Sequence, residues 1–287
     1  MLTPFDADGK VNLREVAKIA RFCVDVQKND GLVINGTTGE SPTLEEDEKF
    51  AVLETVLETV GDKAAVIFGG GTYSTKESIH LTRQAERRGA HGIMLVNPYY
   101  NKPGQSGLYA HFSTVARETG LPVLLYNIQP RSAINLETPT LLKLAEIPNI
   151  VAVKEASGNV PQISDVCAQA PAGFRVYSGD DAITLPILSV GGYGVVSVAA
   201  HVVGAEIKAM IEAFPASPER AKQMHQRLSP VFKAIFSAPS PAPIKYALSK
   251  QGFDCEDVRL PIVKLTDQEK QVVDAAMARF GDLAAAR

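Results

Sequence analysis

The sequence predicts an α/β chain, a (β/α)8 barrel with a C-terminal helical appendage. Three observations carry that prediction. Short, nearly continuous apolar runs alternate with amphipathic stretches up to about Val203, and beyond it the runs stop. Repeated strand–helix units imply right-handed crossovers and a parallel sheet. The length of 287 residues suits one barrel of about 250 residues with a further segment.

The apolar runs are Gly31–Asn35, Ala65–Phe68, Gly92–Val96, Pro122–Tyr126, Ile150–Lys154, Phe174–Tyr177 and Gly194–Val198. Each has the length and composition of a strand covered on both faces. Between them, Val11–Val26, Leu44–Val60, Thr75–Arg88, Gly107–Glu118, Thr138–Ala145 and Pro161–Ala168 space their apolar residues near 3.6. A further strand would lie before Thr3-Pro4-Phe5 and is nearly missing, so the first barrel strand is expected to be truncated. An open doubly wound sheet is the competing architecture, but no G-x-G-x-x-G follows the first run. Gly69-Gly70-Gly71 lacks that spacing and reads as close backbone approach at a barrel rim.

The barrel is expected over residues 1–203. Residues 204–287 are expected to hold the last barrel helix and the appendage, with helices at Pro218–Phe236, Pro243–Lys250 and Asp267–Arg279. Pro239, Pro241 and Pro243 punctuate them.

Composition narrows the function. Hydrophobic residues make up 45% and charged residues 21%, an ordinary globular balance. The 29 basic and 32 acidic side chains leave a net charge of −3, so no global field favours nucleic acid. Cys23, Cys167 and Cys255 are widely spaced and form no metal-ligand pair, so they read as free thiols in a reducing compartment. The N-terminus carries no signal-peptide pattern. No apolar run approaches the roughly 18–20 residues of a membrane span. A cytoplasmic protein is expected, with neither nucleic acid nor membrane as partner and with no cofactor or metal.

Barrel active sites form where strands end. Read there, the chain offers Gly36-Thr37-Thr38-Gly39-Glu40, Asn97-Pro98-Tyr99-Tyr100, Tyr126-Asn127 with Arg131 beyond, Lys154-Glu155, Gly179-Asp180-Asp181 and Val196-Ser197. Hydroxyls, phenols, one amine and one guanidinium converge. His80, His91, His111, His201 and His225 are scattered and read as structural or surface residues.

Lys154 is central. An amine aimed into a barrel mouth loses water, and desolvation frees its lone pair to attack a ketone. The plain alternative is a snorkelling lysine, or one ion-paired with Glu155 or Glu40. Imine chemistry must move protons at a carbinolamine and at the α-carbon, which a phenol such as Tyr126 can do without a permanent charge; a packed core tyrosine is the alternative. Thr37 and Thr38 lie in a turn that suits a carboxylate, or else in a plain ST-turn. Arg131 offers a bidentate grip on a second carboxylate, or is a surface arginine.

These residues carry a resemblance. Gly36-Thr-Thr-Gly-Glu-Ser41, Pro98-Tyr-Tyr-Asn-Lys-Pro103, Tyr126-Asn127, Val153-Lys-Glu-Ala-Ser157, Tyr177-Ser-Gly-Asp-Asp181, Gly194-Val-Val-Ser197 and Ala238-Pro-Ser-Pro-Ala-Pro-Ile-Lys245 resemble the dihydrodipicolinate synthase family in order and spacing. That family lies within the N-acetylneuraminate lyase and class I aldolase superfamily, and the similarity runs from Thr3 to about Thr266.

The resemblance implies a lyase that joins pyruvate to L-aspartate-β-semialdehyde in lysine and diaminopimelate biosynthesis. It implies a Schiff base at Lys154 and a proton relay of Tyr126, Thr37 and Tyr100. Tyr100 would come from a neighbouring subunit of a homotetramer. Thr38 would hold the pyruvate carboxylate and Arg131 that of the aldehyde substrate, with Gly179 and Val196 lining the pocket by backbone. Ser41, Pro42, Lys49, Tyr73, Glu77 and Tyr99 match the family's lysine-binding cleft. Lys49 and Tyr73 replace the His and Asn usual there, so weak feedback by lysine is expected.

One departure from the pattern lies beside Arg131, where the family's proline has moved to Pro130 while the Tyr126–Arg131 spacing is kept. Relatives that cleave sialic acid or keto-sugar acids share the lysine and tyrosine but tend to carry Ser in the Thr-Thr pair and to lack the arginine. Such a lyase, or a barrel that only binds, are the alternative readings.

Overall fold

In the computed structural model, residues 1–285 are described, and side-chain surroundings are described through residue 281. The last residues of the expected appendage, 286–287, lie outside the described residues. Seven strands form: β1 (Gly31–Ile34), β2 (Ala65–Gly69), β3 (Gly92–Val96), β4 (Val123–Asn127), β5 (Ile150–Glu155), β6 (Arg175–Ser178) and β7 (Gly194–Val195). Their order in the sheet is their order in the chain. Each pair from β2 to β7 runs parallel. Helices follow the strands, so the chain is α/β as the alternating runs predict.

The chain separates into two compact units: Met1–Ala65 with the chain from Val198 onward, and Val66–Ser197. In the second unit β3 is buried in all but its last residue and β4 along its whole length, as strands covered on both faces must be. Two of its helices, Thr75–Arg87 and Val160–Gln169, start on side-chain caps. Ser74 accepts from the Glu77 N–H, and Asn159 from the Gln162 N–H. Thr138–Ala145 forms where its periodicity places it.

Two details depart from the sequence reading. The last run was expected over Gly194–Val198, yet β7 has two residues. The ladder continues only as far as the Val196 N–H, which donates to the Ser178 carbonyl at 2.8 Å. Ser197 then donates its hydroxyl to Asp181, and Val198 adopts helical angles. Apolar composition cannot reveal where a polar side chain turns the backbone. The short helices Gln129–Ser132 and Thr184–Ser189 also escape an apolar period, because they span too few residues to show one.

The first unit is built on helices. Leu13–Arg21 is capped by Asn12 and continues as a π-turn over Phe22–Val26. Glu46–Val60 opens with a capping box of Glu45 and Glu48. Gly204–Ala213, Pro218–Ala234, Ala242–Ser249 and Asp267–Ala285 complete the unit. Its N-terminal segment is anchored: the Met1 amino group donates to the Val33 carbonyl of β1, and Leu2 is fully buried. His201 accepts from the Leu2 N–H at 3.1 Å. No described helix is long and apolar enough to cross a membrane. All three cysteines are free thiols, with Cys23 and Cys255 buried.

Candidate functional site

Parallel register decides which side chains share a face of the sheet. Tyr126 on β4 pairs with Lys154 on β5, and Lys154 with Tyr177 on β6. Registered partners point the same way, so Tyr126 and Tyr177 share the amine's face of the sheet, the Tyr177 ring meeting Tyr193 edge to face with centroids 5.5 Å apart. Lys154 Nζ stands 4.1 Å from the centroid of the Tyr126 ring. Among the described residues the amine has no ion pair and no hydrogen bond. Tyr126 is buried, at 5% exposure, and its hydroxyl likewise has no partner among the described residues. Tyr177 is the registered neighbour that reading strand ends one at a time did not single out; it becomes visible only when strands are aligned.

Both carboxylates that could have neutralised Lys154 are engaged elsewhere. Glu155, next in sequence, points to the opposite face and is fully buried. It accepts from Asn127 Nδ2 at 2.8 Å and from Ser157 Oγ at 2.7 Å. Burial pushes its carboxyl above the usual range, against the pull of those two donors. Glu40, in the first unit, ion-pairs at 2.5 Å with Lys245, which is fully buried.

Gly179 follows β6, and its role is spatial. A Cβ there would sit 2.8 Å from the Ala156 Cβ and 3.0 Å from Cγ and Cε of Lys154. A side chain there would press on Ala156 and crowd the lysine stem. The Gly179 N–H donates to the Glu155 carbonyl at 2.6 Å, continuing the ladder past β6. Val196 is placed by its bond to Ser178.

Arg131 lies in the short helix Gln129–Ser132, exposed, with no partner for its guanidinium among the described residues. The displaced Pro130 sits in the first turn of that helix, where its missing N–H leaves no bond unmade. Tyr100 has a left-handed backbone, φ 70°, and is 92% exposed. It is therefore open to solvent among the described residues, unlike the buried Tyr126. Tyr73 and Tyr99 meet edge to face, with centroids 5.3 Å apart. Burial, and then Glu77 and Tyr73, push the Tyr99 phenol up. Glu77 accepts from the Thr72 hydroxyl at 3.2 Å.

In the first unit, Thr37 and Thr38 form a single 3-10 turn with Gly39, and Glu40 follows at φ 54°. Neither threonine hydroxyl has a hydrogen-bond partner among the described residues, so both are available to a ligand. The turn is held from behind. Thr3 Oγ1 donates to the Gly39 carbonyl at 2.8 Å, and the Arg259 N–H donates to Glu40 Oε2 at 3.0 Å. Ser41 lies in the next 3-10 turn and Lys49 in the helix Glu46–Val60, its carbonyl accepting from Asn35 Nδ2 at 3.2 Å. Lys245 was quoted in a motif, but its burial could not be seen there. It donates to the Asp257 carbonyl at 2.6 Å and stands 4.2 Å over the Phe5 ring.

An amine held over the Tyr126 ring with no ion pair or hydrogen bond among the described residues, its stem packed against a glycine, suits nucleophilic attack on a carbonyl.

The sequence pattern of the Dihydrodipicolinate synthetase family matches residues 1–279. A 4-hydroxy-tetrahydrodipicolinate synthase of Moorella thermoacetica is 51% identical over 282 residues, covering 98% of this chain and 96% of that protein. The protein of that name from Bacillus subtilis is 48% identical over 282 residues, covering 98% and 97%. Among solved structures, a dihydrodipicolinate synthase of Bacillus anthracis superimposes with a TM-score of 0.93 at 43% identity, covering 97% of this chain and 95% of that one. One from Cyanidioschyzon merolae with lysine bound gives 0.96 at 41%, covering 98% and 96%.

Proposed function

The chain belongs to the dihydrodipicolinate synthetase family and is a lyase that condenses pyruvate with L-aspartate-β-semialdehyde in lysine and diaminopimelate biosynthesis; we propose that it does so through an imine on Lys154. The observation that carries this reading is the Lys154 amine, without a partner among the described residues and held 4.1 Å over the Tyr126 ring.

The amine adds to the ketone carbon of pyruvate, and the carbinolamine loses its oxygen as water once a proton reaches it. Loss of a methyl proton from the resulting imine gives an enamine. Its carbon attacks the aldehyde of the second substrate, whose amino group then closes the ring at the imine carbon and frees Lys154. Atoms balance as pyruvate plus aldehyde giving 4-hydroxy-tetrahydrodipicolinate and water. Tyr126, whose ring lies beside the amine, carries the proton. By family resemblance Thr37 and Tyr100 complete the relay, Thr38 holds the pyruvate carboxylate, Arg131 holds the aldehyde's carboxylate, and Gly179 and Val196 line the pocket.

The finer architecture follows the same reading. The seven strands are read as a (β/α)8 barrel whose first strand, before Thr3-Pro4-Phe5, is truncated; the Met1 amino group bonds there to Val33 of β1. Residues 1–203 are read as that barrel, and 204–287 as its last helix and the appendage. The exposure of Tyr100 suits a side chain that serves a neighbouring subunit of a homotetramer. The composition and the free thiols suit the cytoplasm.

The test is reduction with borohydride in the presence of pyruvate, followed by peptide mass spectrometry. The adduct is expected on Lys154; an adduct on another lysine, or none, overturns the assignment.

A further inference from the structure

Behind the Lys154–Tyr126 pair, on the opposite face of the sheet, lies a row of buried polar side chains that the chemistry does not touch. Asn127 and Glu155 are registered partners, as Tyr126 and Lys154 are. Asn97 stands next in line, just past β3, where its N–H donates to the Tyr126 carbonyl at 3.0 Å. All three side chains are fully buried. Asn97 Nδ2 donates to Asn127 Oδ1 at 2.9 Å, and Asn127 Nδ2 donates to Glu155 Oε1 at 2.8 Å. Asn127 is held on two further sides. Its Oδ1 accepts from the Leu136 N–H at 3.0 Å, and its Nδ2 donates to Asn135 Oδ1 at 2.9 Å. Ser157 closes the row by donating to Glu155 Oε2.

We propose that Asn97, Asn127 and Glu155 form a crossbar that fixes the distance and rotation between the Lys154 amine and the Tyr126 phenol, which makes Glu155 a positioning residue for imine formation. The proposal rests on Lys154 being the nucleophile. Each member of the bar is bonded in the chain to a member of the reacting pair or hydrogen-bonded to its backbone. Twisting either strand end would stretch a bond of 2.8–2.9 Å in a place that water does not reach. A buried carboxyl is costly, and an apolar side chain would fill the space at lower cost. What the carboxyl adds is direction: one oxygen for Asn127 and the other for Ser157.

The experiment compares Glu155→Gln, Glu155→Ala and wild type for kcat, KM for pyruvate, melting temperature, and the rate at which borohydride traps pyruvate on Lys154. Glutamine keeps an oxygen for Asn127 and can donate its amide to the Ser157 hydroxyl, so it is expected to retain most of kcat. Alanine removes the acceptor, and kcat and trapping rate are expected to fall roughly 10- to 100-fold while KM for pyruvate moves less. A merely structural role would lower the melting temperature and leave kcat of the folded protein alone.

Should the alanine variant fail to fold, Asn97→Ser breaks the bar at its other end, and the same split is expected. Wild-type kcat and trapping in a folded Glu155→Ala or Asn97→Ser protein would overturn the crossbar, as would a glutamine variant as slow as alanine. Absence of a Lys154 adduct in wild type would sink the nucleophile reading itself and this one with it; labelled wild type with indifferent variants sinks the crossbar alone.

Discussion

Lys154 and Tyr126 are registered partners on neighbouring parallel strands, with the amine 4.1 Å from the centroid of the ring. Removing the phenolic oxygen alone should therefore leave the lysine and its packing in place but without the neighbouring phenol proton. Tyr126→Phe is expected to lower kcat by roughly 10²- to 10⁴-fold, the range of a lost general acid–base. The Lys154 adduct should still form, slowly, under borohydride. Lys154→Ala should form none and lose most activity while melting as wild type does. A Tyr126→Phe enzyme with unchanged kcat would remove the phenol from the mechanism.

Arg131 projects from its short helix with no partner of its own among the described residues, so its deletion should cost function and not folding. Arg131→Ala is expected to weaken capture of the aldehyde substrate by about 2–3 kcal/mol, the loss of a charged hydrogen-bond pair. KM for pyruvate should stay near wild type. Equal effects on both substrates in steady-state kinetics would mean that the arginine does not hold the aldehyde's carboxylate.

Lysine should inhibit this enzyme weakly. The ring of Tyr73 packs edge-on against Tyr99, so it fills space that a smaller side chain would leave to a ligand. Half-inhibition is expected above roughly 1 mM, a binding free energy weaker than about 4 kcal/mol. A titration showing sub-millimolar inhibition refutes this, and Tyr73→Asn should increase sensitivity if the ring is the obstacle.

The Lys245–Glu40 pair should behave as a buried unit. Burial pushes the Lys245 amine down, and the neighbouring carboxylate opposes that shift. Lys245→Met leaves a buried carboxylate without its cation, a loss of about 3–5 kcal/mol. Glu40→Gln combined with Lys245→Met should recover part of that stability, because no uncompensated charge remains. Denaturant unfolding of Lys245→Met, Glu40→Gln and the double variant checks it; additive losses would show that the two side chains do not act together.

His201 should make the fold acid-sensitive. Burial, and then the N-terminal ammonium, push its imidazole down to about 3 from an ordinary 6.5. Because it accepts from the Leu2 N–H through Nε2, its proton lies on Nδ1, facing the Val198 carbonyl. The folded state holds it neutral while the unfolded state protonates it, so its contribution is complete above about pH 6.5 and shrinks as pH falls toward 3. The slope should reach roughly 1.4 kcal/mol per pH unit within that window. His201→Gln is expected to be less stable at pH 7 but to lose less between pH 7 and pH 5. Equal slopes in urea unfolding would disprove the link.

The alternation of strand and helix, the polar residues that follow most strands and the family were legible in the sequence, because periodicity and turn chemistry are local and the motifs are short; the early end of β7 was not. A lysine ending an apolar run, a tyrosine ending the one before it and a Thr-Thr turn could be found by reading along the chain. Which partner each charge takes could not. Glu40 and Glu155 were equally plausible counter-ions for Lys154, yet Glu40 pairs with Lys245 and Glu155 with Asn127 and Ser157. Nor could the sequence give the register that sets Tyr177 opposite Lys154, or the clash of a Cβ at Gly179 with the lysine stem. Those facts are set by packing between segments far apart in the chain. Burial there makes every unpaired polar group costly, and so selects one set of partners out of several that local pattern allows.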